Sequence, residues 1–252
     1  MRKLTKTALV LAFVGVLLVC LSVQIEPTFY CDGTNTSGEV NLVVSDLHVH
    51  PYMPVFDYKM HQVVRKARRL WRTNKTLVLG DVMHWAGGLT FADWNLSKAE
   101  WGQMVARVKR VVGDADAIYV PGNHDLSNWT THRWNQAFGT YDRQVSLFPN
   151  VTAHLSSSMA PRPYNYSVVL AHYPIQTTHD ALWHSNLKLA LNGHEHFIER
   201  RAFNNTRQYT LPTLNPFQAA SNNHFDGSGQ HGFALLDSEL NVRMCQVYYL
   251  WK

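Results

Sequence analysis

Five short apolar runs in this chain each end on the same kind of polar group. NLVVS leads into Asp46-Leu47-His48, TLVL into Gly80-Asp81, and AIYVP into Gly122-Asn123-His124-Asp125; YSVVLA leads into His172, and LKLALN into Gly193-His194-Glu195-His196. Short, nearly continuous apolar runs bounded by Gly and Pro read as strands buried on both faces. Residues 56–71, FDYKMHQVVRKARRLW, carry Met60, Val63, Val64, Ala67 and Leu70 at helical spacing, with Lys59, Arg65, Lys66 and Arg69 largely opposite. Ser97-Lys98-Ala99-Glu100 is a capping box opening a second helix, with an apolar stripe of Trp101, Met104, Val105 and Val108. The order β-α-β-α-β implies parallel strands joined by crossover helices. The carboxyl ends of such strands converge on one crevice, so the polar groups are expected to meet.

Asp46 and His48, two residues apart, can face one point, as can His194 and His196. Carboxylates, imidazoles and an amide oxygen suit Mn, Fe or Zn better than a soft thiolate site does. A lone His-x-His or Gly-Asp is usually a turn. Five such elements, each closing a predicted strand, are not explained as unrelated turns. Beyond the third strand, THRWNQAFGTY reads as a short helix stopped by Gly139. VSLFP, NVTAHL, QYTLPT, GQHGFALLD and NVRMCQVYYL follow as strands, the last two as a hairpin about Ser238-Glu239-Leu240. A helical first half and a strand-rich second half imply an α/β fold of two packed sheets with helices outside. Residues 41–252 show no internal linker and read as one domain.

The N-terminus carries a separate signal. Arg2, Lys3 and Lys6 precede a charge-free stretch from Thr7 to Ile25 with an apolar core of Ala8–Val23. We read residues 1–24 as a short cytosolic terminus and an uncleaved signal anchor, a transmembrane helix whose following domain lies in the lumen of the endoplasmic reticulum or Golgi. A cleaved signal peptide, leaving a secreted or cell-surface protein, is the alternative. Residues 25–40, rich in Thr, Gly and Pro, read as a stalk. Without the first seven residues the chain has 20 basic against 18 acidic residues. That balance, with no basic and aromatic cluster beyond one helix face, gives no reason to expect nucleic acid as a partner. Glycosylation sequons at Asn35, Asn74, Asn95, Asn128, Asn150 and Asn204 fit secretory exposure, whereas Asn165 lies too near a strand. Cys31 and Cys245 could form one disulfide, or both stay unpaired.

The strand-end set, in its order and spacing over residues 46–196, resembles the calcineurin-like metallophosphoesterases. That resemblance implies a four-layer α/β/β/α sandwich and two divalent metal ions, for which manganese is our first expectation and iron or zinc the alternatives. It assigns Asp46, His48 and His196 to one metal, and Asn123, His172 and His194 to the other. Asp81 would bridge both beside an activated water or hydroxide. His124 would act on the leaving oxygen as a catalytic residue, with Asp125 orienting it. The family commonly continues Gly-Asp-x-x-Asp, but His84 stands in the last position here; it and His50 could support the ligands or reach substrate. A weaker resemblance, to the membrane-bound branch that removes ethanolamine phosphate from GPI-anchor glycans, implies a membrane-associated glycolipid as the phosphoester. An acid-phosphatase-like enzyme or nucleotide phosphodiesterase, and a catalytically silent metal-bound scaffold, are the competing expectations.

Overall fold

The computed structural model describes residues 13–14, 25–32, 36, 38–50, 54–83, 96–113, 116–126, 131–156, 166–175, 186–203, 205–216 and 230–249. The elements run β1 (Pro27–Cys31), β2 (Val40–Val44), α1 (Pro54–Trp71), β3 (Thr76–Leu79), α2 (Lys98–Val112), β4 (Ala117–Val120), α3 (Thr131–Phe138), β5 (Gln144–Phe148), β6 (Val151–Ser156), β7 (Val168–Ala171), β8 (Leu189–Asn192), β9 (Glu199–Phe203), β10 (Thr206–Thr210), β11 (Gly232–Asp237) and β12 (Val242–Tyr249). They form two six-stranded sheets, ordered β1-β12-β11-β2-β3-β4 and β5-β6-β7-β8-β10-β9.

Strands β2, β3 and β4 are parallel, joined through α1 and α2 as the alternation predicts. Each helix buries most of the stripe its spacing marks, namely Met60, Val63, Val64 and Ala67 on α1, and Trp101, Met104 and Val108 on α2. Leu70, expected in the first stripe, is instead exposed in the last turn of α1, and Val105 is only partly buried. Ser97 and Glu100 close the expected capping box, and Gly113 takes the left-handed conformation that ends α2. Alternate residues of the first sheet face opposite cores. Leu42 and Val44 pack with α1, α2 and α3, whereas Val43, Leu77 and Leu79 meet Leu155, Leu170 and Leu191 of the second sheet. Two-sided burial explains why these strands read as continuous apolar runs.

In the second sheet β6, β7, β8 and β10 are parallel, with antiparallel β5 and β9 at the edges. Its outer face presents Val169, Ala171 and Ala190 beside Ile175 and Leu187. Helices α1–α3 all pack on the first sheet, and among the described residues no helix covers the second, so the fourth layer of the expected α/β/β/α sandwich is not seen in them.

Two expectations for the N-terminal region fare differently. Residues 27–31 are not part of a stalk but form β1, hydrogen-bonded to β12 along its whole length. Cys31 pairs directly with Cys245 across this ladder, and the two form a disulfide. Apart from Phe13 and Val14, which are helical and exposed, the expected signal anchor up to residue 24 lies outside the described residues. Among the described residues no helix is long and apolar enough to cross a membrane.

Candidate metal centre

All five polar groups lie just past the carboxyl ends of β2, β3, β4, β7 and β8, where the two sheets meet. The chains leaving β2 and β3 stay in register beyond the strands. His48 N–H donates to the Asp81 carbonyl at 2.8 Å, and Val49 N–H to that of Val82 at 3.0 Å. This puts Asp46, His48 and Asp81 on neighbouring, correlated turns. From the other sheet, His194 N–H donates to Asp46 Oδ2 at 3.1 Å, which joins the β8 turn to the β2 turn.

Backbone conformation aims these side chains. Asp46, His48, Asp81, His194 and His196 have φ of 53°, 42°, 45°, 73° and 59°. For residues with a Cβ the left-handed region costs roughly 1–2 kcal/mol each, and such strain concentrates where surrounding structure holds it for a purpose. At His196, therefore, alanine should leave the metal-free protein less stable than glycine by about 1 kcal/mol, although glycine is ordinarily the costlier residue. Urea denaturation of His196→Ala and His196→Gly measures that difference directly. Close approach matters as much. A Cβ on Gly122 would fall inside the Asp81 carboxylate, and one on Gly193 would strike Ser45 and Asp46.

The side chains then assemble into three overlapping groups. Asp46, His48 and His196 form one; Asp81, His172 and His194 another; and His48, Asp81 and His124 lie between them. In the first, His196 Nε2 is 3.2 Å from Asp46 Oδ1 and 3.3 Å from His48 Nε2. In the second, Asn123 Oδ1 is 3.0 Å from His172 Nε2 and 3.1 Å from His194 Nδ1, and these two nitrogens are 3.3 Å apart. Asp81 Oδ2 reaches both groups, at 3.7 Å from His48 Nε2 and 3.4 Å from His172 Nε2. Metal–nitrogen bonds of about 2.0–2.1 Å put neighbouring ligands roughly 2.8–3.4 Å apart in octahedral or tetrahedral geometry. Six of these spacings fall in that range, while His48 Nε2 stands wider, at 3.7 Å from Asp81 Oδ2 and 3.9 Å from Asp46 Oδ1. The sets are aimed at common points, and the residues fit two cations.

Electrostatics agree with that use. Burial pushes the His48 imidazole down to about 3, leaving it neutral at pH 7. Burial also opposes charging of His172, but the adjacent Asp81 carboxylate outweighs it and pushes this group up to about 9. Burial would raise Asp46, yet the hydrogen bond and charge of His196 hold it below the ordinary carboxylate range. Asp81 lies below that range too, because His172 overcomes a similar burial cost. A proton on His172 thus occupies the role a metal would take. Metal uptake at pH 7 is expected to release protons and to tighten as pH rises towards 9. Titration calorimetry in buffers of differing ionisation enthalpy measures both.

His124 takes a different position. Its side chain is 32% exposed against 3% for His48, and its Nε2 lies 3.9 Å from Asp81 Oδ2. Its backbone N–H donates to Asp81 Oδ1 at 2.9 Å. Buried Asp125 accepts from the N–H groups of Val82, Met83 and Gly122, fixing the turn that presents His124 to the turn that presents Asp81. Burial, reinforced by the Asp81 charge, pushes the Asp125 carboxyl up to about 8 against those three donors.

His50 lies outside the three groups, its backbone carbonyl held by Arg107 Nη2 at 2.6 Å. His84, Asn35, Asn95, Asn128 and Asn204 lie outside the described residues, while Asn74 and Asn150 are exposed. Several supporting residues escaped sequence reasoning. Thr213 Oγ1 donates to the Asp46 carbonyl at 2.7 Å, and Asn215 Nδ2 to the carbonyls of Leu47 and His48, both at 3.0 Å. These bonds hold the left-handed stretch from the segment after β10. Tyr173 lays its ring 4.5 Å from that of His194. Only the position of Tyr173, directly after His172, offered a clue in the sequence.

Comparison with known proteins adds the chemistry. The structure is similar to vacuolar protein sorting 29 from Cryptosporidium parvum, with 14% identity, 86% of this chain and 94% of that one covered, and a TM-score of 0.47. It is also similar to YfcE, a phosphoesterase from E. coli, with 14% identity, coverage of 81% and 96%, and a TM-score of 0.44. A third, Vps29 from Entamoeba histolytica complexed with zinc, has 14% identity, coverage of 83% and 91%, and a TM-score of 0.42. No curated protein matches the sequence. The model of the calcineurin-like phosphoesterase family matches residues 42–198, more than half of the sequence and every strand-end group above. The chain belongs to the calcineurin-like phosphoesterase family, and is a hydrolase that cleaves phosphoesters with the help of divalent metal ions.

Proposed function

We propose that Asp46, His48 and His196 hold one metal ion, that Asn123, His172 and His194 hold a second, and that Asp81 serves both. A pair of bound divalent cations would make water nucleophilic near neutral pH and neutralise charge on the phosphoryl oxygens. The chain's own residues arrange the rest. Neutral Asn123 limits negative charge where an anionic substrate must approach. His124 stands at the open side of the cluster, beside Asp81 but outside both ligand sets, and from there donates a proton to the leaving oxygen. Asp125 holds the turn behind it. The position of His124 is the observation that carries this reading.

Replacing His124 by alanine is expected to lower turnover about 10²–10⁴-fold for an alkyl phosphodiester, whose leaving oxygen needs a proton. Loss should be much smaller for bis-nitrophenyl phosphate, whose leaving group departs as an anion. Metal content, measured on the same samples, should not change. Equal losses on both substrates would remove the proton-donor role.

Manganese is the metal we propose first, because a set of carboxylates, imidazoles and one amide oxygen accepts it readily. The apolar N-terminal segment, the Cys31–Cys245 disulfide and exposed sequons at Asn74 and Asn150 support a single-pass protein with its catalytic domain on the oxidising, lumenal side. Ethanolamine phosphate on a GPI-anchor glycan is the specific substrate suggested by the finer sequence resemblance. A panel of phosphomonoesters, nucleotides, cyclic nucleotides and GPI glycans should show a preference of about tenfold or more in kcat/KM for the glycan. A preference for nucleotides instead would reassign the enzyme.

A further inference from the structure

The conversion of the expected stalk into a strand has a geometric result that bears on the membrane reading, and the inference rests on that reading. Only Ile25 and Glu26 separate Gln24, the end of the expected anchor, from Pro27, the first residue of β1. Pro27 is not free to swing. It is buried, pairs with Tyr249, and has its carbonyl held by Lys66 Nζ at 2.8 Å. Three residue steps span at most about 11 Å, so the domain surface around Glu26 has little slack with which to leave a bilayer holding a segment that ends at residue 24.

That surface is suited to headgroups. A notch of about 200 Å³ is lined by Glu26, Pro27, Gln62, Arg65, Lys66 and Arg69. Three cations face one carboxylate, and Lys66 Nζ lies 3.4 Å from Glu26 Oε2. Leu70, one helical turn beyond Lys66, is 54% exposed. Arginine and lysine, with apolar stems below a charged head, and an isolated leucine rest comfortably at a membrane interface.

Strand register locates the metal cluster relative to this surface. Val43 pairs with Ala234, which places Gly232 level with Ser45; Gly232 pairs with Gln246, and Gln246 with Tyr30. Pro27 therefore projects three residues, about 10 Å, past the level of Ser45 at the end of the sheet that carries the ligands. Laterally β1 is three strands from β2, roughly 14 Å.

We propose that the β1–α1 face lies directly on the bilayer, with Arg65, Lys66 and Arg69 taking the phosphates of lipid headgroups, and that the metal cleft consequently opens beside the membrane onto phosphoesters held there. The test uses the full chain in nanodiscs containing anionic phospholipid and, separately, in nonionic detergent. Phenylglyoxal labelling of arginines, mapped by mass spectrometry, should slow about threefold or more at Arg65 and Arg69 in nanodiscs, with Arg143 and Arg201 unchanged as controls on the second sheet. A ten-residue Gly-Ser insertion between Ile25 and Glu26 should abolish that protection without altering turnover of a soluble diester. Carbonate extraction separates the two levels of the argument. A chain stripped from membranes removes the anchor and the proposal with it, whereas an integral chain with equal labelling in both media removes the apposition alone.

Discussion

Replacing Asp81 with asparagine is expected to lower turnover about 10³-fold or more and to leave the protein with about one bound metal instead of two. Asp81 Oδ2 is the oxygen that lies near His48 of one group and His172 of the other. Two neighbouring cations repel, and a shared anion is what permits both to stay. Asparagine keeps the shape and the acceptor for His124 N–H, but removes that charge. It also removes the carboxylate that does most to hold His172 charged, so this imidazole should lose its proton at lower pH in the metal-free variant than in the metal-free parent. Metal analysis, steady-state kinetics and an NMR titration of the histidines read the three effects. Full activity with two bound metals would show that Asp81 is not shared.

Reduction of Cys31–Cys245 should be the largest single loss of stability that leaves the metal ligands untouched. The bridge closes a sequence separation of 214 residues. Chain-entropy reasoning then gives up to about 5 kcal/mol, with much of that offset if the reduced chain retains structure. Cys245 is buried, and Phe29 and Trp71 pack around Phe233 beside it. A Cys31→Ala, Cys245→Ala variant should therefore show a lower urea midpoint, with β1 losing amide protection first and kcat on a soluble substrate changing little. An unchanged midpoint would mean that the β1–β12 ladder suffices alone.

What could be read in advance followed from local order. The α1 and α2 stripes, the Ser97 cap and the buried strands all show in windows of a few residues, because helix period and two-sided burial leave local marks. The ligand candidates were legible for a related reason: each follows directly on an apolar run. β1 was not legible. PTFYC is short, begins with proline and becomes a strand only through a partner more than two hundred residues away. The supports at Thr213 and Asn215 were hidden likewise, since they bond to backbone carbonyls of a turn distant in sequence. Nor does any residue pattern announce that Asp46 and His48 adopt left-handed backbone. That property belongs to the turn as clamped from the second sheet.

The order β1-β12-β11-β2 seats the last two described strands between the first two. During synthesis β1 must therefore wait, with Cys31 unpaired and its hydrogen-bonding edge bare, until β12 has been made. At about 5–20 residues per second, a separation of 214 residues corresponds to roughly 10–40 s. Throughout that interval the edge of β1 lacks its partner, and the step that completes this part of the sheet is the pairing of β12 with β1, sealed by oxidation.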